Sequence, residues 1–196
     1  MKPQAFIIAI ALLLLGSTIS VAQEQEGRFA LELSGGPSWA VNQEGVSNLN
    51  TGAGFEGILH YRFLPHTGIY AGWGWNRFST EASFAGNDTD FEETGYVLGL
   101  QFKHPIGMSP LAYYLRAGGL YNHYEIESEA GEIIVDTGHG LGWQLAGGLD
   151  IAINDSWHLT PGFKFNALNR DFTSSGTDRS LRINYLSARI GILKKF

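Results

Sequence analysis

The chain has 196 residues, of which 44% are hydrophobic, 16% are charged and none is cysteine. This length suits a single domain, and the lack of cysteine excludes a disulfide framework. Thirteen basic and 19 acidic residues give a net charge of −6, which argues against a nucleic-acid partner. The 26 Gly, 12 Phe, 8 Tyr and 5 Trp favour β-structure over helix.

The first 22 residues have the pattern of a secretory signal peptide. Lys2 supplies the positive end, an apolar core runs from Phe6 to Leu15, and a small-x-small site ends at Ala22. The apolar core is about half as long as the ~20 residues of a spanning helix, which disfavours an N-terminal membrane anchor. We therefore predict export, cleavage between Ala22 and Gln23, and a mature domain of residues 23–196.

Segments with a period of two recur through the mature chain, with apolar or aromatic residues on one face and small or polar residues on the other. Pro161 interrupts the seventh segment and removes one ladder donor. The eighth changes phase near Tyr185 and Leu186, which predicts a bulge. The eight predicted strands are Arg28–Trp39, Gly52–Phe63, Gly68–Arg77, Thr94–Lys103, Leu111–Tyr124, Leu141–Asn154, Trp157–Asn166 and Leu181–Phe196.

The connections between these strands alternate in length. Short gaps follow the second, fourth and sixth strands, at Leu64–Thr67, His104–Pro110 and Asp155–Ser156. Long polar gaps follow the odd-numbered strands, at Ala40–Thr51, Phe78–Glu93, Glu125–Gly140 and Leu168–Ser180. This layout predicts an all-β fold, an eight-stranded antiparallel up-and-down transmembrane β-barrel with long exterior loops and tight periplasmic turns.

A soluble barrel of the lipocalin type, with its apolar face turned inward around a ligand, has the same alternation. The many small residues on the polar face favour the membrane barrel, because eight strands leave a narrow lumen. The aromatic residues also fall into two belts, as expected at the two membrane interfaces. The outer belt is predicted at Trp39, Trp75, Tyr96, Tyr121, Trp143 and Tyr185, and the inner belt at Tyr61, Phe63, Tyr70, Phe102, Tyr113 and Trp157.

Charges of both signs fall on the face assigned to the lumen, where they should pair with one another. A gate or narrow ion path is one interpretation, and structural ion pairs that fill the barrel are the other. We favour the second, because a barrel of this size is ordinarily filled by side chains. The predicted interior network is Glu32, Glu56 and Asp150 with Arg62, Arg116, Lys164 and Arg182.

Two groups of residues could form metal sites, and ordinary hydrophilic loops are the alternative for both. His123 and His139 flank the third long gap and its acidic residues, without a recognised ligand spacing. Asp88, Asp90 and Glu92 alternate as in a calcium loop, but the central glycine and the distal glutamate of such a loop are missing. We therefore predict no metal ligand and no cofactor.

A lipid-modifying enzyme would need a serine, a histidine and an acid at the outer rim. His123, Glu125 and Ser128 have this composition, but no serine-centred catalytic motif accompanies them. We therefore predict no catalytic residue and no enzyme activity.

Three stretches resemble the small outer-membrane protein β-barrel domain family of Gram-negative bacteria, which includes opacity-type, OmpX-like and OmpW-like proteins. They are residues 114–121 (YLRAGGLY), residues 140–150 (GLGWQLAGGLD) and the C-terminal residues 189–196 (RIGILKKF). The ending resembles the family's assembly signal through Arg189, Gly191 and the terminal Phe196, although Lys194 stands where an apolar residue is expected. The resemblance implies an outer-membrane location and insertion by the barrel-insertion machinery.

The expected function is that of a non-enzymatic, monomeric outer-membrane protein whose exposed loops make surface contacts or support envelope integrity. The main alternative is a narrow, porin-like channel for small or apolar solutes. A lipid-modifying barrel enzyme and a soluble ligand carrier are the less favoured alternatives. A shared fold does not choose among these functions.

Overall fold

The fold was analysed in a computed structural model that describes residues 27–46, 48–128, 130–174 and 176–196. The predicted signal peptide, with its cleavage position between Ala22 and Gln23, lies outside these residues. Within the described ranges, no helix is long and apolar enough to cross a lipid bilayer. The strands are β1 (Phe29–Glu44), β2 (Gly52–Arg62), β3 (Thr67–Ser83), β4 (Gly86–Pro105), β5 (Leu111–Glu127), β6 (Ile133–Asp136), β7 (Gly140–Ala152), β8 (Trp157–Leu159), β9 (Gly162–Ser174) and β10 (Thr177–Lys195).

The strands close into a single ring. Each long strand pairs antiparallel with the next, and β1 pairs with β10 to complete the circle. The segments β8 and β9 together form one strand of the wall, while β6 pairs with the far end of β5. The ring therefore has eight strands, and the predicted eight-stranded antiparallel up-and-down barrel is confirmed.

Pro161 separates β8 from β9. Its carbonyl accepts a hydrogen bond from the Leu149 N–H (2.9 Å), but its ring nitrogen has no hydrogen to donate. The preceding Thr160 continues the ladder by donating its N–H to the Gly191 carbonyl (2.8 Å). The interruption therefore removes one donor without opening the wall.

The regular ladder extends farther than the sequence pattern predicted. The gap predicted at Phe78–Glu93 is largely a continuation of β3 and β4, in which Phe78 lies opposite Phe91 and Ser83 lies opposite Gly86. The strands β9 and β10 extend in the same way. Outward polar residues in these segments resemble a loop in sequence, but their inward neighbours keep the period of two. We call this side of the barrel the loop end. The opposite side, which has the short turns, the start of β1 and the end of β10, is the turn end.

The predicted bulge lies in a different strand. In β10 the inward positions are odd-numbered without a break from Leu181 to Leu193. The register shifts instead in β1, between Ala40 and Asn42, opposite Tyr185. The phase of β10 stays the same along the strand. Its inward side chains change from apolar to mostly polar, and this change resembles a phase change in the sequence.

The apolar side of the wall faces outward. Leu33, Leu98 and Leu145 are exposed on the outside, whereas Glu32 and Lys164 are buried inside. This is the opposite of a soluble ligand-binding barrel and matches the lipid-facing wall of a membrane barrel.

Candidate functional site

The lumen near the turn end contains a carboxylate surrounded by donors. The Arg116 guanidinium donates to Glu32 Oε2 at 2.5 Å, and His60 Nε2 lies 2.9 Å from the same oxygen. The other oxygen, Oε1, accepts from the Thr160 hydroxyl at 2.9 Å. A further hydrogen bond runs from Arg116 Nε to Gln101 at 2.7 Å. Both Glu32 and Arg116 are buried, so each charge is balanced inside the barrel.

Two further groups continue this network. Asp150 lies 2.7 Å from Lys103 Nζ and 2.5 Å from His158 Nδ1. Across the lumen, Lys164 Nζ donates to Glu56 Oε2 at 2.5 Å. We call this group the ion network, and it consists of Glu32, Glu56, His60, Lys103, Arg116, Asp150, His158 and Lys164.

The structure brings most of the predicted interior residues together. Glu32, Glu56, Arg116, Asp150 and Lys164 are all buried in the lumen. The positions of these five residues alternate with outward apolar residues, which is why the sequence pattern predicts their placement.

The other two predicted interior residues differ in position. Arg62 has the inward phase of β2 and lines a cavity where the lumen opens at the turn end. Arg182 lies on the outer face, where its side chain is 44% exposed and its Nη1 is 3.0 Å from Glu44 Oε2. The interior placement predicted for Arg182 is corrected, because its neighbours Leu181 and Ile183 occupy the inward positions of β10.

The lumen near the loop end is mostly apolar, although Arg170, Thr80 and Thr89 are also buried there and Arg170 Nη2 donates to the backbone carbonyls of Asn122 and Gly140 at 2.7 Å. Its side chains are almost completely buried, and the Phe78 ring meets the Tyr185 ring edge-on at a centroid distance of 5.3 Å. We call this group the apolar cap, and it consists of Phe78, Phe91, Ile126, Leu168, Leu181 and Ile183.

Two cavities differ greatly in size. A cavity of about 20 Å³ between the ion network and the apolar cap is lined by Glu56, Gln144 and Lys164, among others. It has room for roughly one water molecule. A much larger cavity of about 520 Å³ lies at the turn end, beside Arg62, Lys103 and Asp150. We call it the vestibule.

Several interior polar residues were not among the predicted ones. Glu93 accepts a hydrogen bond from the Tyr185 hydroxyl at 2.5 Å, and it was missed because it closes a run of acidic residues that resembles a loop. Arg189 donates to the Gly36 carbonyl at 3.0 Å and to Asn76 Oδ1 at 3.1 Å. In the sequence Arg189 resembles part of the assembly signal, and its odd number also gives it the inward phase of β10.

Most predicted belt residues lie on the outer face, with two corrections. Tyr70 and Tyr185 are 0% and 1% exposed and point into the lumen. Both have the inward phase of their strands, opposite to Trp73 and Leu186. On the outer face are Trp39, Trp75, Tyr96, Tyr121 and Trp143 toward the loop end and Tyr61, Phe63, Phe102, Tyr113 and Trp157 toward the turn end.

The inward position of Tyr70 depends on glycines of neighbouring strands. A Cβ atom at Gly118 would lie 2.6 Å from the Tyr70 hydroxyl oxygen, and one at Gly99 would lie 2.7 Å from Tyr70 Cε1. Tyr114 has a similar relation to Gly148, where a Cβ would lie 2.7 Å from its hydroxyl oxygen. These close approaches explain why the chain combines many glycines with large aromatic residues.

Two of the three acids that alternate as in a calcium loop, Asp90 and Glu92, contact other side chains. Glu92 Oε1 lies 3.5 Å from Arg77 Nη1, and its other oxygen accepts from the Trp75 indole N–H at 2.8 Å. Arg77 also pairs with Asp90, and that hydrogen bond raises the pKa of the guanidinium.

On the outer wall beyond Tyr121, a second group surrounds His123. His123 Nδ1 lies 3.0 Å from Asp136 Oδ1, and the same oxygen accepts from the Gly138 N–H at 2.8 Å. Partial burial opposes ionisation of Asp136, but the Gly138 N–H and then His123 lower the pKa of this carboxyl below its ordinary value. The His139 ring stacks on the His123 ring at a centroid distance of 4.2 Å.

Ser128, the serine considered for a lipid-modifying enzyme, contacts a different group. Its hydroxyl oxygen accepts a hydrogen bond from the Glu132 N–H at 3.2 Å, within the turn that joins β5 to β6. His123 instead has its Nδ1 beside Asp136. The two side chains therefore do not form a nucleophile and base pair in this structure.

The two residues of the predicted assembly signal lie on different sides of the wall. Gly191 faces the lumen, where a Cβ atom would lie 3.0 Å from Glu32 Oε1, so this site needs glycine for close packing. Phe196 is exposed, and its N–H donates to the Phe29 carbonyl at 3.0 Å. Lys194 Nζ lies 5.0 Å from the centre of the Phe196 ring.

Comparisons with known proteins agree with this geometry. The family model described as "Outer membrane protein beta-barrel domain" matches residues 8–191. Neisserial surface protein A is similar over 88% of this chain and 100% of its own, with 15% identity and a TM-score of 0.65. OprG from Pseudomonas aeruginosa covers 87% and 97% with 12% identity and a TM-score of 0.56. Outer membrane protein W from E. coli covers 89% and 100% with 15% identity and a TM-score of 0.53. No curated protein matches the chain.

Proposed function

The chain belongs to the outer membrane protein beta-barrel domain family, and from this premise we propose that it is a sealed, non-enzymatic membrane anchor. In this proposal its loop end makes surface contacts or supports envelope integrity. The protein lies in the outer membrane, with its apolar wall against lipid. In barrels of this kind the short turns face the periplasm and the longer connections face the exterior.

The filled lumen is the observation that carries this proposal. From the vestibule outward, a solute would meet the buried pair of Glu32 and Arg116, then that of Glu56 and Lys164, and then the apolar cap. The cavity between them, at about 20 Å³, has room for roughly one water molecule. Breaking a buried ion pair without replacing it costs about 3–5 kcal/mol, which makes the network a poor path for solutes.

The loop end supports the second half of the proposal. The hairpin of β3 and β4 continues beyond the aromatic belt, and the turn after β5 carries the short strand β6. The outward side chains of the hairpin beyond the belt are largely polar or charged, including Arg77, Asp90 and Glu92. A regular hairpin holds such groups in a fixed arrangement, which suits contact with another surface.

The vestibule favours a narrow channel as the second candidate. Its volume of about 520 Å³ and its basic residues Arg62, Lys103 and Lys195 would admit small anions from the periplasm. A channel, however, requires a second conformation in which the side chains of the ion network and of the apolar cap both move apart to open the lumen. The sealed anchor requires no such rearrangement, so we prefer it.

The same proposal includes the partners expected from the sequence. We propose that membrane lipid covers the apolar wall and that the insertion machinery recognises the last strand through Gly191 and Phe196. We further propose that the folded barrel is a monomer and that the signal peptide is removed at Ala22.

A hairpin deletion tests the proposed role of the loop end. Residues Ser79–Asp90 are replaced by Asn-Gly, which can join Phe78 to Phe91 because these two residues lie opposite each other in the ladder. Cells lacking the native gene are complemented with wild type or this variant. We expect normal insertion, seen as a heat-dependent gel shift, together with loss of the protection of cells against detergent and hydrophobic dyes.

The matched control changes the turn end instead. Residues Ile106–Ser109 are replaced by Gly-Asn-Gly-Ser, and this variant should retain full protection. Full protection by the hairpin deletion, or loss of protection in the control alone, would refute the assignment of function to the loop end.

A further inference from the structure

Three potential metal ligands converge on the outer wall. His123, Glu125 and Asp136 each offer one ligand atom, and these atoms all lie within 4.8 Å of one another. Among the residues that the structure describes, no other group of three or more His, Cys, Asp or Glu side chains meets this condition. The histidines and acids of this gap are visible in the sequence, but no ligand spacing supports the prediction of a site, because Asp136 lies eleven or more positions after the other two ligands.

The ladder between β5 and β6 fixes the three side chains. His123 and Glu125 are two positions apart on β5 and so point to the same outward face. Asp136 lies directly opposite Glu125. Thr137 anchors this register, since its N–H donates to the Tyr124 carbonyl at 3.0 Å and its hydroxyl accepts from the Tyr124 N–H at 2.9 Å.

The turn after β6 brings a second histidine close to the three ligands. Gly138 has a positive φ of 68°, which turns the chain back toward β5. The following residue, His139, stacks on His123 with ring centroids 4.2 Å apart and planes within 14°. Two imidazoles and two carboxylates therefore share one small region of the wall.

The chemistry of these ligands selects a class of metal. Imidazole nitrogens suit Zn²⁺ and similar transition metals, whereas Ca²⁺ and Mg²⁺ prefer sites made of oxygen ligands. Zn²⁺ binds histidine nitrogen together with aspartate or glutamate oxygen, so one imidazole and two carboxylates supply ligand types that it accepts. We propose that His123, Glu125 and Asp136, with His139 beside them, bind a Zn²⁺ ion that fastens β6 to the outer wall.

A second pair of histidines provides an internal comparison. His66 and His104 lie near the opposite end of the barrel with ring centroids 4.6 Å apart. Near them are aromatic rings, such as Phe102, and a backbone carbonyl, that of Lys103, which lies 3.0 Å from His66 Nδ1. An imidazole pair without carboxylates should bind Zn²⁺ far more weakly.

The test uses the untagged, folded barrel in detergent and Zn²⁺ in competition with a chromophoric chelator. Wild type should bind one Zn²⁺ per chain. The variants His123→Gln and Asp136→Asn should each weaken binding by at least about tenfold, since even loss of an outer partner of a metal ligand costs 10–100-fold. His104→Gln should leave the affinity unchanged.

Folding and specificity are checked in the same experiment. The heat-dependent gel shift must be retained by each variant, and Asp136 is exposed enough that its substitution should not unfold the barrel. Zn²⁺ should also slow proteolysis of the connection between β5 and β7 in wild type but not in Asp136→Asn. Wild type without saturable binding, an unchanged affinity in both site variants, or equally tight binding of Ca²⁺ would overturn the proposal.

Discussion

The two ends of the lumen are closed by different kinds of interaction. Near the turn end, the ion network pairs buried charges, as in the 2.5 Å contact of Glu32 with Arg116. Near the loop end, the apolar cap has almost completely buried side chains such as Phe91 and Ile183. The vestibule of about 520 Å³ lies on the side of the ion network. The paired charges of the ion network therefore lie where the lumen opens toward water, and mostly apolar packing, with the buried Arg170 beside it, lies where the strands extend beyond the belt.

The two kinds of interaction lose stability in different ways when a side chain is replaced. Ion pairs fix the positions of individual partners, and losing one partner leaves an unbalanced buried charge. An apolar cap depends on shape and volume, and it loses stability through cavities. The two ends should therefore respond differently to substitutions of similar size.

The largest effect is expected at the ion network. Glu32→Gln keeps the size of the side chain but leaves the buried Arg116 charge without its carboxylate. The free energy of unfolding should fall by about 3–5 kcal/mol, as for other buried pairs that lose one partner. Urea unfolding of the lipid-folded barrel, followed by tryptophan fluorescence, measures this loss.

An exposed pair provides the matched control. Glu44 lies 3.0 Å from Arg182 on the outer face, with side chains 60% and 44% exposed. Glu44→Gln should cost less than about 1 kcal/mol, because water and salt screen such pairs. Equal losses for Glu32→Gln and Glu44→Gln would show that burial of the network contributes nothing to stability.

A somewhat smaller effect is expected at the apolar cap. Ile183→Ala removes a fully buried side chain and should lower the free energy of unfolding by about 2–5 kcal/mol, through lost transfer energy and a cavity. Ile190→Ala, on the outward face of the same strand, should cost less because lipid fills the space. The comparison uses the same urea unfolding, and equal losses would contradict a packed cap.

Much of this architecture could be predicted from the sequence, because a period of two assigns side chains to faces. The outward Leu33 and Leu98 and the inward Glu32 and Lys164 followed from that rule alone. Arg182 and Tyr70 were misplaced where charge or aromatic character was given more weight than strand phase. The extent of the β3–β4 hairpin was underestimated, since its outward residues are as polar as those of a loop.

The contacts between distant strands could not be predicted in the same way. Lys164 and Glu56 are 108 positions apart in the sequence and meet because the barrel closes. The His123 site depends on the register of β6 against β5 and on the turn at Gly138, neither of which has a periodic signal. The position of a residue in the alternating pattern predicts whether its side chain points inward or outward. Which side chain it contacts depends on the strand register and on the closure of the barrel.

Ion conductance through planar bilayers tests the sealed lumen most directly. Folded barrel, verified by its heat-dependent gel shift, is inserted beside a porin of known conductance as the positive control. The account predicts no stepwise current from the wild-type protein while the control conducts. Reproducible current steps that change in size or ion selectivity in Lys164→Gln would contradict it, because the current would then pass through the ion network.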